Sequence, residues 1–478
     1  MMKQNILSKA GLLILLVAAL SSCNKWIDPD ININPDAPTV VPMDLLLPTI
    51  EARFAYDIVQ GNDGERTLSL WSQQLTGVAR QSQSEGAYSF RAGDANNTWG
   101  DVYAGVLMDA KQLIDMSQQT KTRSSQYEAV GKIVTAATYG YATDLWGDLP
   151  FSEALQGGDN TAPKFDSQQD IYTGIQSLLD EAITLLKNPD AGDVFSLDGD
   201  IIFGGDIGKW LATAYALKAR YALHLSKVSG DAYATALGYL ENAIADASGS
   251  AYYYYAAGNN NNANPLFLFM QDRGDVRVSD VMIDRLKNTS DPRLEVYANP
   301  IGDTLVVGGV TYPPGSYVGA PAGVPLDGAS EPGSGIASSD TKTPIITFTE
   351  VKFMEAECKV KTGDDAGAQA ALKDAVSASL NEYGVFDTDW FTTFSGEVDA
   401  LTGNDLYERI MTEKWVALMY NFEAYNDWRR TGFPTLTPNP SAGGKEIPRR
   451  FPYATDPITY NPNTPADVTI WDHIWWDQ

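Results

Sequence analysis

The sequence predicts a mainly α fold in which helices pack in pairs. Three long segments carry apolar residues at spacings of three and four, which places those residues on one face of a helix. These segments are 171–186, 210–225 and 411–422. Neighbouring helical segments form pairs, and long irregular stretches rich in Gly, Pro, Asn and aromatic residues lie between the pairs. This pattern indicates a helical scaffold that carries loops.

The first residues have the features of an export signal. Lys3 and Lys9 provide a basic start, and the apolar run 11–20 follows. A helix needs about 20 apolar residues to cross a bilayer, so this run is too short to remain as a membrane span. We therefore expect residues 1–22 to be a lipoprotein signal peptide that is removed.

The residues around the expected cleavage site predict a lipid anchor. Leu20-Ser21-Ser22-Cys23 resembles a bacterial lipobox, in which the cysteine becomes the lipidated first residue. Several acyl chains on that residue would hold the protein stably at a membrane surface. The next residues are polar and contain several prolines, which favours an extended chain. We expect residues 23–48 to be a lipidated extended tether and residues 49–478 to be a single α-helical domain.

The helical segments after the tether form pairs in chain order. Segment 127–144 is expected to pair with 171–187, 209–228 with 233–247, and 348–361 with a helix that ends near residue 383. In the third pair, Gly363 can adopt the left-handed conformation that ends a helix, and Asp364 can cap the next helix. Helix pairs of this length look like tetratricopeptide repeats. Minor β elements, such as 304–307, are expected within the irregular stretches.

Composition excludes several classes of function. The chain has 478 residues and a formal charge of −27, which argues against binding to nucleic acid. Its 2 His and 2 Cys cannot form a zinc cluster or a redox pair, and we expect neither a metal nor a cofactor. After cleavage Cys358 is the one remaining thiol, and its helical apolar surroundings predict a small buried side chain. His224 lies on an apolar stripe and is expected to be a hydrogen-bonded core residue.

Several motifs, in a fixed order, identify a family. The longest is Glu413-Lys414-Trp415 through Arg429-Arg430-Thr431-Gly432-Phe433-Pro434. The others are Asp144-Leu145-Trp146-Gly147-Asp148, Asp291-Pro292-Arg293-Leu294, Ile447-Pro448-Arg449-Arg450-Phe451-Pro452-Tyr453 and the terminal Trp475-Trp476-Asp477. Together they resemble the SusD/RagB family of nutrient-binding lipoproteins of Bacteroidetes, and they fit the SusD-like 2 branch best.

The resemblance implies a fold, a location and a partner. Family members have one domain with four tetratricopeptide-like helix pairs as a scaffold, and loops on one face carry the ligand site. They are lipid-anchored in the cell outer membrane and face the extracellular side. The resemblance also implies a partner, a SusC-type TonB-dependent transporter, which receives the bound ligand. The ligand would be an oligosaccharide or another oligomeric nutrient such as a peptide.

The loops supply candidates for ligand binding. Sugar recognition uses flat aromatic faces together with planar polar groups. The candidate ligand-binding residues are Tyr88, Tyr252, Tyr253, Tyr254, Asn260, Phe269 and Arg273. Because successive side chains of an extended segment point to opposite sides, the tyrosines of 252–255 cannot all face one ligand, and about half should be core. Trp99 is expected to pack in the scaffold.

The charged residues of the long motif are expected to be structural. Arg429 and Arg430 end an amphipathic helix, where they can bond to terminal carbonyls and pair with acids such as Asp427. With 61 Asp and Glu, pairs of carboxylates are too common to indicate a glycosidase. We expect no catalytic residue and no enzyme activity. Two alternatives remain open, namely a surface-anchored glycan-degrading enzyme and a helical-repeat scaffold for protein interactions.

Overall fold

The computed structural model describes residues 41–61, 64–258 and 260–478. The predicted signal peptide, the predicted anchor Cys23 and most of the predicted tether lie outside them. Residues 43–478 form one compact unit. The prediction that the extended tether reaches residue 48 was wrong, because residues 43–53 are helical and this helix buries Leu47 and Ile50 completely. Burial of this apolar face holds the helix together around Pro48.

The fold is mainly α, as the sequence predicted. The helices of the first half are α1 Met43–Arg53, α2 Gly64–Trp71, α3 Arg80–Gly86, α4 Asn96–Gly100, α5 Met108–Ser117, α6 Ser125–Trp146, α7 Gln168–Lys187, α8 Ile207–His224 and α9 Ala232–Leu240. Those of the second half are α10 Pro265–Asp272, α11 Asp280–Asn288, α12 Leu294–Tyr297, α13 Ser334–Ala337, α14 Phe348–Lys361, α15 Asp365–Glu382, α16 Thr388–Asp399, α17 Gly403–Ala417, α18 Phe422–Thr431 and α19 Thr455–Tyr460. No helix in this described part of the chain is both long and apolar enough to cross a membrane.

The three predicted helix pairs are confirmed. Helix α6 packs on α7, α8 on α9, and α14 on α15, while contacts of α7 with α8 and of α9 with α14 join the pairs into one scaffold. Gly363 has a φ of 90°, and the Asp364 side chain accepts a hydrogen bond from the Gly367 amide at the start of α15, as predicted. Helix α9 is shorter than predicted and ends at Leu240, where a turn begins.

The scaffold is packed too closely for extra side-chain atoms at some glycines. A Cβ on Gly140 of α6 would lie 2.3 Å from the ring of Tyr221 on α8, so only glycine allows this approach. An apolar core joins α14, α15, α16 and α17 around Phe353, Leu372 and Ile410. Cys358 is buried beside this core, as predicted, and burial raises the pKa of its thiol.

The strands are short and form three antiparallel pairs. They are β1 Leu75–Gly77, β2 Ala251–Tyr253, β3 Val276–Val278, β4 Leu305–Val307, β5 Val310–Tyr312 and β6 Thr343–Ile346. Strand β1 pairs with β3, β2 with β6, and β4 with β5. The pairing of β2 with β6 joins the tyrosine segment to the strand that leads into α14, and so fixes that segment against the scaffold.

The charged residues of the long motif are buried ion pairs of the scaffold, as predicted. Arg430 is 4% exposed, and its guanidinium pairs with Glu357 of α14 and with Asp427 of its own helix. Lys414 of α17 pairs with the other oxygen of Asp427, at 2.7 Å. Buried charges require such partners, because an unpaired ion loses its hydration without compensation. The motif therefore joins helices α14, α17 and α18.

Two further motif residues hold separate elements together. Arg293 is fully buried and donates to Asp291 and to Glu413 of α17, at 2.6 and 2.9 Å. Arg429 donates to the backbone oxygens of Asp144 and Arg449. The prediction that Arg429 bonds to the terminal carbonyls of its own helix was therefore wrong in its partners. One of the two carbonyls belongs to α6, and the other belongs to the segment after α18.

His224 is a core residue, as predicted. Its ring contacts carboxylates on both sides, with Nδ1 3.1 Å from Asp144 and Nε2 2.8 Å from Glu423. Burial opposes protonation of the ring, but the two carboxylates outweigh this effect and raise the pKa of His224 to about 9. At neutral pH the residue is therefore a buried cation that links α6, α8 and α18.

Candidate functional site

A polar cleft of about 440 Å³ opens between two segments of the first half of the chain. The first segment provides Tyr56 and Asp57, and the second provides Asn96, Asn97 and Asp101. The lining thus combines one aromatic ring, two amides and two carboxylates. The amides can donate and accept hydrogen bonds and the carboxylates can accept them, so both kinds of group can bond to the hydroxyl groups of a ligand.

Both sides of the cleft contain a π-helical turn. Helix α1 continues as a π-helix over Phe54–Val59, and α4 continues as a π-helix over Asp101–Leu107. A π turn adds a residue to the helix and redirects the side chains that it carries, and such turns are frequent at functional sites. Tyr56, Asp57 and Asp101 lie on these turns, so the irregular helices present them to the cleft.

Local contacts hold both turns in place. The Arg53 guanidinium pairs with Asp57 at 3.4 Å, and it passes so close to Gly105 of the other π-helix that a Cβ there would lie 2.9 Å from it. The Asn96 side-chain oxygen accepts a hydrogen bond from the backbone amide of Thr455, at 2.8 Å. Both walls of the cleft are therefore supported by contacts outside it, which favours a largely preformed site.

Partial burial raises the pKa of both Tyr56 and Asp57, which lie on one side of the cleft. Desolvation raises the pKa of Asp57, and the pair with Arg53 limits this rise. Desolvation and the neighbouring Asp57 together raise the pKa of Tyr56. The Tyr56 hydroxyl is therefore neutral at physiological pH and can donate a hydrogen bond to a ligand.

The tyrosine segment alternates as predicted. The rings of Tyr253 and Tyr255 lie 4.9 Å apart on one side of β2, and Tyr255 lies 6.4 Å from Tyr56 of the cleft. The rings of Tyr252 and Tyr254 lie 6.2 Å apart in the other pair. Two of the four tyrosines are buried, as predicted, but they are Tyr252 and Tyr255, one from each side of the segment. Tyr253 is thus connected to the polar cleft by a chain of ring contacts.

Two of the predicted binding residues, Tyr88 and Phe269, are buried. Tyr88 is 5% exposed, and its hydroxyl accepts a hydrogen bond from the backbone amide of Asn439, so its ring is almost completely covered. Phe269 is 8% exposed and lies between the guanidinium groups of Arg66 and Arg273. For Tyr88 and Phe269 the prediction of ligand contact is therefore corrected, because aromatic side chains in these segments complete the core.

The remaining predicted residues, Tyr254, Asn260 and Arg273, are accessible but do not line the polar cleft. Tyr254 is 62% exposed. Asn260 is exposed and donates to Gln271 at 3.1 Å. Arg273 is partly exposed and forms an ion pair with Asp275 at 2.8 Å. Trp99 packs against Tyr103 and Trp146, as predicted.

The sequence analysis predicted none of the residues that line the polar cleft. Tyr56 and Asp57 lie in a helical segment without an unusual composition, and the π turn that redirects them has no sequence signature that we recognised. The adjacent amides Asn96 and Asn97 were a possible signal, because they begin a short helix that also contains Trp99. In residues 41–61, 64–258 and 260–478, no three His, Cys, Asp or Glu side chains are grouped to hold a metal ion.

Comparison with known proteins identifies the family. The model of the SusD-like 2 family, described as "Starch-binding associating with outer membrane", matches residues 35–454. The chain belongs to this family. No curated protein matches the chain. The SusD-like architecture also explains the mainly helical fold with small sheets, and the resemblance that the motifs indicated is confirmed.

Solved SusD-like structures share the fold over almost the whole chain. A SusD/RagB family protein from Bacteroides thetaiotaomicron is 26% identical, with a TM-score of 0.77 over 92% of this chain and 99% of that one. A chitin-binding SusD homolog from Flavobacterium johnsoniae is 21% identical, with a TM-score of 0.74 over 91% and 97%. A SusD homolog from Bacteroides fragilis is 22% identical, with a TM-score of 0.73 over 92% and 100%.

Proposed function

We propose that this SusD-like protein binds oligosaccharides in the polar cleft and does not cleave them. The observation that carries the proposal is the preformed cleft itself, in which Tyr56 offers an aromatic face and Asn96 and Asn97 offer amides. This combination suits a pyranose, whose C–H face packs on a ring while its hydroxyls bond to planar polar groups. The description of the family as starch-binding supports a glycan ligand.

Substitution of one amide in the cleft should weaken binding without unfolding the protein. Asn97 is exposed, and Asn97→Ala is expected to raise the Kd for the bound oligosaccharide about threefold to tenfold, the effect of losing one hydrogen bond. Isothermal calorimetry with maltohexaose and chitohexaose measures this change. Asn288→Ala is the matched control, because Asn288 is an exposed amide at the end of α11 and does not line the cleft.

The same preparation tests the absence of catalysis. The oligosaccharides are incubated with the protein and their lengths are analysed by mass spectrometry, and we expect no shorter products. The cleft does contain two carboxylates, those of Asp57 and Asp101, which is the minimum for a glycosidase. Cleavage that disappears in Asp57→Asn would therefore contradict a purely binding role and favour the enzyme alternative.

The location that we propose is the external side of the outer membrane, with Cys23 as the lipidated residue. The apolar run 11–20 and the lipobox-like Leu20-Ser21-Ser22-Cys23 support it. Cys23→Ala is expected to move the protein from the membrane pellet to the soluble fraction, because the lipid chains would be its attachment. Equal amounts of both proteins in the pellet after a salt wash would contradict lipid anchoring.

We further propose that the bound oligosaccharide passes to a SusC-type TonB-dependent transporter. Family membership supports this partner, and a lipid anchor on the same membrane would keep both proteins together. Cross-linking in intact cells followed by purification of the SusD-like protein should recover an outer-membrane transporter. If the transporter is recovered equally well from cells that express an unrelated surface lipoprotein, the partnership is not specific.

A further inference from the structure

A second groove lies on the other side of the tyrosine segment. Its volume is about 620 Å³, and it is bounded by β2, by the start of α14 and by the end of α15. Tyr252, Lys342 and Glu382 line it together with Phe348 and Lys352. None of the residues that line the polar cleft takes part in this groove. The two sites are therefore separate. Tyr252 of β2 lines the groove, whereas Tyr255, beyond the end of β2, contacts Tyr56 of the polar cleft.

The Lys342 ammonium and the Glu382 carboxylate are held close together in the groove. The Lys342 ammonium lies 3.5 Å from the Glu382 carboxylate and 3.5 Å from the centroid of the Tyr252 ring. The Tyr252 hydroxyl donates to the same carboxylate at 2.7 Å, which fixes the position of Glu382. Lys342 thus presents donors beside an acceptor whose position is held by a buried side chain.

This pairing matches two neighbouring hydroxyl groups of a sugar. One hydroxyl can accept a hydrogen bond from Lys342 while the next donates to Glu382, and a pyranose carries such adjacent hydroxyls around its ring. The Lys342 to Glu382 separation of 3.5 Å leaves the pair only weakly engaged with itself. Glu382 also accepts a hydrogen bond from Tyr252, and Lys342 also contacts the Tyr252 ring, so a ligand would bond to the remaining lone pairs and protons of the two groups.

An exposed aromatic ring, which is not itself part of the groove lining, contacts Tyr252 of the groove wall. Tyr254 is 62% exposed, and its ring centroid is 6.2 Å from that of Tyr252. An exposed tyrosine face at the edge of a polar groove can pack against the C–H face of a sugar ring. The face of Tyr252 itself is occupied by Lys342, so Tyr254 would be the ring that packs against the ligand.

Charge selects the class of ligand. The groove contains two ammonium groups, of Lys342 and Lys352, and two carboxylates, of Asp374 and Glu382, so its formal charge is zero. A net-neutral groove with mixed groups favours a neutral polyhydroxylated ligand over an anionic one. We propose that this groove is a second, independent binding site for a neutral oligosaccharide. The inference rests on the proposed glycan binding and adds a second site to it.

The number of sugars bound per chain tests the inference. Calorimetry of the full mature protein with maltohexaose and with chitohexaose should give two binding events for at least one of these probes. Tyr254→Ala should weaken one event about tenfold, the effect of removing a central aromatic contact, and should leave the other unchanged. Because Tyr254 is exposed, this substitution does not open the core. Tyr460→Ala, at a tyrosine that is 76% exposed on α19, is the matched control.

The outcomes separate this inference from the proposed function. A single event that Asn97→Ala weakens and Tyr254→Ala does not would overturn the second site and leave the first intact. No binding of either probe would overturn both proposals. Glu382→Gln gives an independent check, because the amide keeps the shape of the side chain but loses the ionised acceptor, and it should weaken only the event that depends on Tyr254. Loss of a protein partner in Tyr254→Ala, with sugar binding unchanged, would instead make the groove a docking surface.

Discussion

Replacing Arg430 with methionine is expected to lower the free energy of unfolding by about 3–5 kcal/mol, the usual effect of removing one partner from a buried ion pair. Arg430 is buried and bonds to both carboxylate oxygens of Glu357, which is fully buried on α14. Without the guanidinium, Glu357 would be a desolvated anion that has lost its main partner. Asp427 would keep Lys414 as its cation. Urea denaturation followed by circular dichroism measures the change.

Two further variants test whether the lost pair is the cause. Arg430→Met combined with Glu357→Gln should recover part of the stability, because no uncompensated charge remains in the core. Lys373→Met is the matched control. Lys373 pairs with Asp399 at 2.7 Å on the surface, and loss of such a pair is expected to change the stability by less than about 1 kcal/mol. If the double variant is no more stable than Arg430→Met alone, the buried charge is not the reason for the loss.

Stability is expected to fall in mild alkali as His224 loses its proton. The pKa of His224 is about 9 in the folded protein, against an ordinary value near 6.5. Since the folded state holds the proton more tightly, the stabilisation is fully present below about pH 6.5 and is lost as the pH rises through 9. A shift of this size corresponds to about 3 kcal/mol. Urea midpoints between pH 6 and pH 10 should record the loss.

The variant His224→Gln isolates this contribution. Glutamine carries no titrating charge, so the variant should be less stable than the natural protein at pH 6, and the difference should shrink toward pH 10. Tyrosine, lysine and cysteine residues titrate in both proteins, so their effects cancel in the difference. A difference that stays constant over the whole range would show that His224 is not protonated between Asp144 and Glu423.

The scaffold was predictable because its signals are periodic and local. The stripes of apolar residues, the Gly363 turn and the Asp364 cap each depend on residues that are close in sequence. The structural role of Arg430 was predictable as well, because a guanidinium near a helix end in an amphipathic segment needs partners. Its partner Glu357 was not predictable, because it lies 73 residues away on another helix.

The candidate sites were predicted less well, because aromatic composition does not distinguish a binding face from a core contact. Tyr88 lies in a polar segment and is buried all the same, and Phe269 lies in a stretch that was expected to be irregular but forms the helix α10 and buries this ring. The alternation of residues 252–255 was correct, since it follows from the geometry of an extended chain. The polar cleft depends instead on two π turns, and the exact residue at which a helix changes its hydrogen bonding was not visible in the sequence.

Those π turns have a consequence for how ligand preference can diverge among relatives. A π turn arises from one inserted residue, so deleting one residue within Phe54–Val59 or Asp101–Leu107 would restore a regular helix. The side chains beyond the deletion would rotate by about 100° around the helix axis. A single codon lost at the start of Phe54–Val59 would therefore rotate Tyr56 and Asp57 together on one wall of the proposed binding cleft, while the helix pairs behind it stay as they are.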